Sequence, residues 1–144
     1  IAKYLVSKEA DVNAPGGFYG NALQAACGGG HYQIVEFLVS READINAQGG
    51  YNGNALQAAC FGGYHQTVEY LVFKGTDVNA QGGYHGNALQ AACYHGHYQI
   101  VEYLLSKGAD VNTQDEDYGS PLQIAQRSGY TRLVEVLQAH GAVC

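Results

Sequence analysis

The heptapeptide Asn-Ala-Leu-Gln-Ala-Ala-Cys occurs at 21–27, 54–60 and 87–93, each copy 33 residues after the last. A fourth, weaker copy, Ser-Pro-Leu-Gln-Ile-Ala-Gln at 120–126, keeps the same step. This fixed period constrains the fold more than any other property of the chain. A unit of this length cannot bury an apolar face by itself, so the units must stack. The core is then a continuous seam between neighbours, and stability comes from adjacent contacts.

Within each unit the local chemistry can be read in order. Asn21 and Gln24 have the N-cap and N3 spacing of a capping box, and Asn54 with Gln57 and Asn87 with Gln90 repeat it. Ser120 with Gln123 is a further version, with Pro121 suited to a first helical turn. A short helix follows, with Leu23, Ala26 and Cys27 on one side. Its alanines let neighbouring helices approach closely. Gly30, Gly63, Gly96 and Gly129 end it. A second helix is predicted from about His31, with Ile34, Val35, Leu38 and Val39 as its apolar face. Gly75, Gly108 and Gly141 close later copies, whereas Glu42 takes that place in one. The polar, glycine-rich stretch at 43–51 predicts an extended turn or hairpin-like finger. The unit is helix, turn, helix, finger, and the fold class is all-α.

Gly-His-x-x-Ile-Val at 30–35 and 96–101, with Gly-Ala-Asp-Val-Asn at 108–112, resembles the ankyrin repeat family over the whole chain. The family's Thr-Pro-Leu-His is replaced here by Asn-Ala-Leu-Gln in three copies. Gly-Gly-Tyr-x-Gly-Asn-Ala-Leu-Gln-Ala-Ala-Cys is similar to arrays of filamentous fungi, often at the C-terminal end of large nucleotide-binding NACHT immune-type receptors. The resemblance implies a solenoid of stacked helix-turn-helix units joined by fingers. It divides the single array into a partial repeat at 1–20, full repeats at 21–53, 54–86 and 87–119, and a capping repeat at 120–144. It also implies a concave face of fingers and first helices that grips a protein partner. The finger glycines Gly20, Gly53 and Gly86 depart from the family by standing immediately before the cap residue, one place later than usual.

Comparison of the units with one another locates their differences. The fingers carry Phe18, Tyr51 and Tyr84, with Tyr19, Asn52 and His85 beside them. The ends of the first helices carry Gly28, Phe61 and Tyr94, then Gly29, Gly62 and His95. Aromatic rings offer large area with few rotatable bonds, and polar tips add adaptable hydrogen bonds. The partner-binding residues expected are therefore Phe18, Tyr51, Tyr84, Asn52, His85, Phe61, Tyr94 and His95. The competing reading is that the finger rings pack only against the next finger. Phe37, Tyr70 and Tyr103, on the second helices, read as core.

The ends differ from the middle. Ile1 aligns with Ile34, which places the start inside a second helix and implies that further repeats precede it. An apolar flank around Ile1 and Leu5 offers a rival function, end-to-end stacking into homo-oligomers or filaments. Gln126, Arg127, Ser128, Arg132 and Gln138 replace Cys, aromatic or apolar counterparts, as expected of a C-terminal cap at the end of the parent protein.

Other function classes are disfavoured. A net charge of −6 with seven Lys and Arg lacks the basic stripe that nucleic acid or an anionic membrane requires. No apolar run approaches the roughly 18–20 residues of a membrane span, and no signal peptide is visible. Cys27, Cys60 and Cys93 share one position in successive units, about 10 Å apart and beyond the ~7 Å reach of a disulfide. They read as buried thiols of a reducing compartment, hence a cytoplasmic chain. Cys93, His95 and His97 offer metal-ligand chemistry, yet Cys93 should face the seam and no fourth ligand completes the set. The Gly runs at 28–30 and 49–50 lack the P-loop Lys. Glu36, Glu69, Glu102 and Glu135 recur in every unit and read as a solvated ladder rather than general acids. Neither a cofactor nor an enzyme activity is expected.

Overall fold

The computed structural model describes residues 11–143, so the end-to-end expectation on Ile1 and Leu5 falls outside the described residues. Among the described residues, eight helices follow as four pairs: α1 (Ala22–Gly28) with α2 (Tyr32–Ser40), α3 (Ala55–Gly62) with α4 (His65–Phe73), α5 (Ala88–Tyr94) with α6 (Tyr98–Ser106), and α7 (Pro121–Ser128) with α8 (Thr131–Ala139). Among the described residues the β component is one isolated antiparallel bridge, Gly49 to Gly53, inside a finger. The all-α solenoid is what the period predicts.

First helices begin where the caps predict. Asn21 Oδ1 accepts from the Gln24 amide at 2.9 Å, and Gln24 Oε1 accepts from the Asn21 amide at 2.7 Å. Ser120 and Gln123 form the same reciprocal box. The two central units correct the expectation. Asn54 and Asn87 cap the amides of Gln57 and Gln90, but the return bonds are not made. The Asn87 amide donates instead to the His85 carbonyl at 3.1 Å. The glutamine amides reach forward to the next finger: Gln57 Nε2 donates to the carbonyls of Gly82 and Gly86 at 2.8 and 2.9 Å. Gln90 Nε2 does so to Gly119 at 2.7 Å. Gln24 closes its own box and also donates to Gly53 at 2.8 Å. The N3 glutamine thus ties the first helix of a repeat to the finger that closes it.

Gly63 and Gly129 end α3 and α7 in the left-handed conformation, whereas α1 and α5 stop one residue sooner, at Gly29 and His95. Crowding also requires glycine at the turn. A Cβ on Gly63 would lie 2.6 Å from the His97 ring of the following unit.

The core is the predicted seam. Leu23, Leu56, Leu89 and Leu122 are buried in register, with Cys27, Cys60 and Cys93 fully inside. Each buried leucine contributes about 2 kcal/mol through apolar burial. First helices pack on one another in sequence, and second helices stack outside them. The link between repeats is made at the base of each finger. Asn79 Oδ1 accepts from the Asp110 amide at 2.8 Å, and its Nδ2 donates to the Gly108 carbonyl at 3.0 Å. Asn13 and Asn112 make the same connection to Asp44 and Val143. Held at both ends, successive fingers cannot slide relative to each other. The polar replacements in the last unit, Gln126, Arg127, Ser128, Arg132 and Gln138, are all exposed.

Candidate interaction face

Glycine brings the fingers into backbone contact. Gly50 has φ +69°, and a Cβ there would stand 2.5 Å from the Gly20 nitrogen. This close approach allows the Tyr51 amide to donate to the Phe18 carbonyl at 2.7 Å, and the Tyr84 amide to the Tyr51 carbonyl at 2.8 Å. Rings on bonded neighbours then align. Phe18 stacks on Tyr51 at 4.9 Å and 17°, and Tyr51 on Tyr84 at 4.7 Å and 18°. The ladder changes character at the fourth finger, where Asp117 stands one period after Tyr84. Its ring comes from Tyr118, which meets Tyr84 edge-on at 5.3 Å.

Exposure separates the eight expected contact residues. Phe18, Tyr84 and Tyr94 are 60%, 51% and 40% exposed. Tyr51, Asn52, Phe61 and His95 are half-buried. His85 is only 5% exposed. Its ring lies 5.1 Å from Phe61, 5.0 Å from Tyr84 and 4.9 Å from Tyr94, with Tyr51, His95 and Tyr118 within 6 Å. Both ring nitrogens meet no hydrogen-bonding group of the protein. Finger and first helix are therefore joined through this imidazole. Phe61 also meets His95 at 4.3 Å, extending the cluster along the helix ends.

The cluster is electrically neutral at neutral pH. Burial pushes the His85 pKa down to about 4, nearby His95 lowers it further, and Asp115 acts in the opposite direction. His95 is lowered by burial and then by His97. Burial raises Tyr51, and so do Tyr84 and Tyr94. Tyr118 is raised by burial and by its hydrogen bond with Tyr84. An uncharged sheet of rings with polar edges is suited to contact with a macromolecule.

Sequence comparison passed over the fourth unit's share of this face. Asp115, Glu116 and Asp117 occupy the places of Gly82, Gly83 and Tyr84, and Arg127 continues the series Gly28, Phe61, Tyr94. The same 33-residue step would have identified them. Arg127 donates to the Tyr118 carbonyl. Tyr94, Tyr118, Ile124, Arg127 and Ser128 line a shallow cavity of about 200 Å³.

The opposite face is organised differently. Arg41 lies over Phe37, Lys74 over Tyr70 and Lys107 over Tyr103, at 5.6–5.9 Å. Arg132 lies over Tyr98 at 4.1 Å. Phe73 is 81% exposed on this side, where the equivalent Ser40 and Ser106 bond their own helices. The ring of Glu carboxylates is exposed, and Glu69 pairs with His65 at 2.7 Å.

Cys93 lies in the seam while His95 and His97 stack on each other at 6.0 Å outside it. Among the described residues, no three His, Cys, Asp or Glu side chains gather as a metal-ligand set. Burial pushes the Cys27 thiol up to about 12 and raises Cys60 and Cys93 as well, so all three stay protonated. No helix among the described residues is long and apolar enough to cross a membrane.

The family model described as ankyrin repeats (three copies) matches residues 1–82, 51–115 and 81–144. No curated protein matches the chain.

Proposed function

Because the chain belongs to the ankyrin repeat family, whose arrays are generally non-enzymatic protein–protein interaction modules, we propose that it binds a protein partner along its finger and first-helix face. The observation that supports this most is the stacked row Phe18, Tyr51 and Tyr84, joined ring to ring yet still open at its edge. Stacking and exposure are compatible. Rings already fixed by their neighbours lose little conformational freedom when a partner arrives, so more of the contact energy appears as affinity. Phe18, Tyr84 and Tyr94 supply the open surface, while Tyr51, Asn52, Phe61 and His95 border it. His85 holds the rings in place from beneath. A position at the sensor or scaffold end of a larger fungal receptor rests only on the likeness of the repeated Gly-Gly-Tyr unit.

A displayed random-peptide library, selected on the native chain, tests this reading. Selected peptides should lose at least about tenfold in affinity, about 1.4 kcal/mol, against a Phe18→Ser, Tyr84→Ser, Tyr94→Ser variant with native circular dichroism and melting. Binding that survives this variant but disappears with Phe73→Ser would move the interaction to the second helices and reject the proposal.

A further inference from the structure

We infer that the segment bound on this face is basic, and that an arginine of it lies over Tyr84 and Tyr94 beside the acidic fourth finger. The inference rests on the finger face being the binding face, and goes beyond it by stating the partner's chemistry. Three independent observations converge on one end of the ridge.

The first is the separation of charge. Of the cations among the described residues, Arg41, Lys74, Lys107 and Arg132 lie over rings of the second-helix face. Only Arg127 belongs to the finger side, where it is hydrogen-bonded to the Tyr118 carbonyl. Against it stand Asp115, Glu116 and Asp117, at tip positions that carry no charge in the other three fingers. Glu116 and Asp117 are exposed. Asp115 Oδ1 accepts from the amides of Asp117 and Tyr118, both at 2.9 Å, which fixes the direction of that carboxylate. The close contact of His65 with Glu69 is on the other face. The fourth finger therefore carries an excess of negative charge that no cation of the second-helix face offsets.

The second observation is His85. This side chain is 5% exposed, close enough to Asp115 for the carboxylate to act on its charge, and touches Tyr84, Tyr94 and Tyr118. A neutral imidazole has one acceptor nitrogen, and here the protein supplies it no donor. Neutral and closed over by these rings, His85 gives the Asp115 carboxylate no charged partner, and a guanidinium laid over Tyr84 and Tyr94 is the group best suited to supply one from outside.

The third observation is the surface itself. Tyr84 and Tyr94 remain about half open; Tyr94 lines the cavity with Tyr118, Ile124 and Arg127, and Tyr84 meets Tyr118 edge-on. A guanidinium is weakly hydrated and stacks on such rings, whereas an ammonium keeps its water and does so less well. The ridge is thus directional. The tips of its first two fingers, Gly16-Gly17-Phe18 and Gly49-Gly50-Tyr51, are uncharged and suit apolar or planar side chains, and its last tip is acidic and suits arginine.

Fluorescence anisotropy with three labelled Gly-Ser dodecapeptides, carrying Arg, Lys or Glu at every third position, tests this in about 50 mM salt, where screening is modest. The Arg peptide should bind, the Lys peptide roughly threefold to tenfold more weakly, and the Glu peptide not at all. Neutralising Glu116→Gln and Asp117→Asn, exposed positions that leave the Asp115 turn intact, should cost the Arg peptide roughly fivefold. Tyr84→Leu should cost a similar factor while Glu36→Gln, Glu69→Gln, Glu102→Gln and Glu135→Gln together cost little. Equal affinity for the Arg and Glu peptides, or an equal loss from the second-helix neutralisation, overturns the inference. If the library of the preceding section returns ridge-dependent peptides without basic residues, recognition by this face stands and its basic partner falls.

Discussion

Along the second helices Phe37, Tyr70 and Tyr103 recur at one position, and each lies under its own cation. Along the fingers the rings also form a row, but the accompanying residue changes from Tyr19 to Asn52 to His85. The first ladder repeats one solution to one problem, namely covering the outside of the seam. The second holds a constant backbone through its first three fingers, bonded one to the next, while its side chains vary. Backbone bonding therefore maintains the stack on the finger side, which frees the side chains there from that task. Variation among units of one chain is most informative where the backbone, and not the side chain, carries the stability.

The largest way to break this contrast is to remove the finger glycines. Gly53 has φ +90°, and a Cβ on it would stand 2.8 Å from the Gly82 backbone. Gly53→Ala should cost about 2–4 kcal/mol in urea unfolding, combining left-handed strain with overpacking. Gly129→Ala, with φ +75° and nothing near its Cβ, should cost about 1 kcal/mol. Equal losses would mean that close finger approach contributes nothing.

A smaller effect sharpens the role of His85. Its folded pKa, pushed down to about 4, lies below the ordinary 6.5, so the unfolded chain binds this proton more tightly. Stability should therefore fall as pH drops from about 6.5 and level off below about 4, a loss on the order of 2 kcal/mol. His85→Phe should flatten that part of the profile and add about 1 kcal/mol at neutral pH by removing two unpaired nitrogens. An unchanged profile would show that His85 does not remain neutral within the ring cluster.

The smallest effect lies at the close of a second helix. Glu42 has φ +68°, the one positive value outside glycine among the described residues, where Gly75, Gly108 and Gly141 serve in other units. Glu42→Gly should stabilise by roughly 0.5–1 kcal/mol, because the strain relieved exceeds the entropy glycine loses. It should leave peptide binding on the finger face unchanged.

Helix starts were legible because a cap is a local matter: Asn and Gln three residues apart suffice to mark one. The partners of that Gln were not. Spacing assigns Gln57 and Gln90 to their own boxes, whereas their amides bond a finger some 29 residues onward. The seam was legible from the recurrence of Leu, Ala and Cys. The burial of His85 was not, because it depends on two other positions. Tyr19 precedes a helix that ends in Gly28 and stays 58% exposed, while His85 meets Phe61 of its own repeat and Tyr94 of the next. Large neighbours close over the imidazole where glycine leaves a ring open. A pairwise reading of finger against helix end, unit by unit, contains that information; a reading of each position alone does not.

The forward bond of the glutamine has a consequence for how such a chain can change its length. Gln24 reaches Gly53 and Gln57 reaches Gly86 through the same atoms over the same interval. If residues 54–86 were excised, Gly53 would run directly into Asn87, and Gln24 and Gln90 would each keep the acceptor they already have, Gly53 and Gly119. The joint between units carries no record of which units it joins. A gene of this kind can gain or lose whole 33-residue units by misaligned copying and still encode a fully bonded stack, so the number of rungs, and with it the length of partner covered, is free to evolve separately from the stability of any one of them.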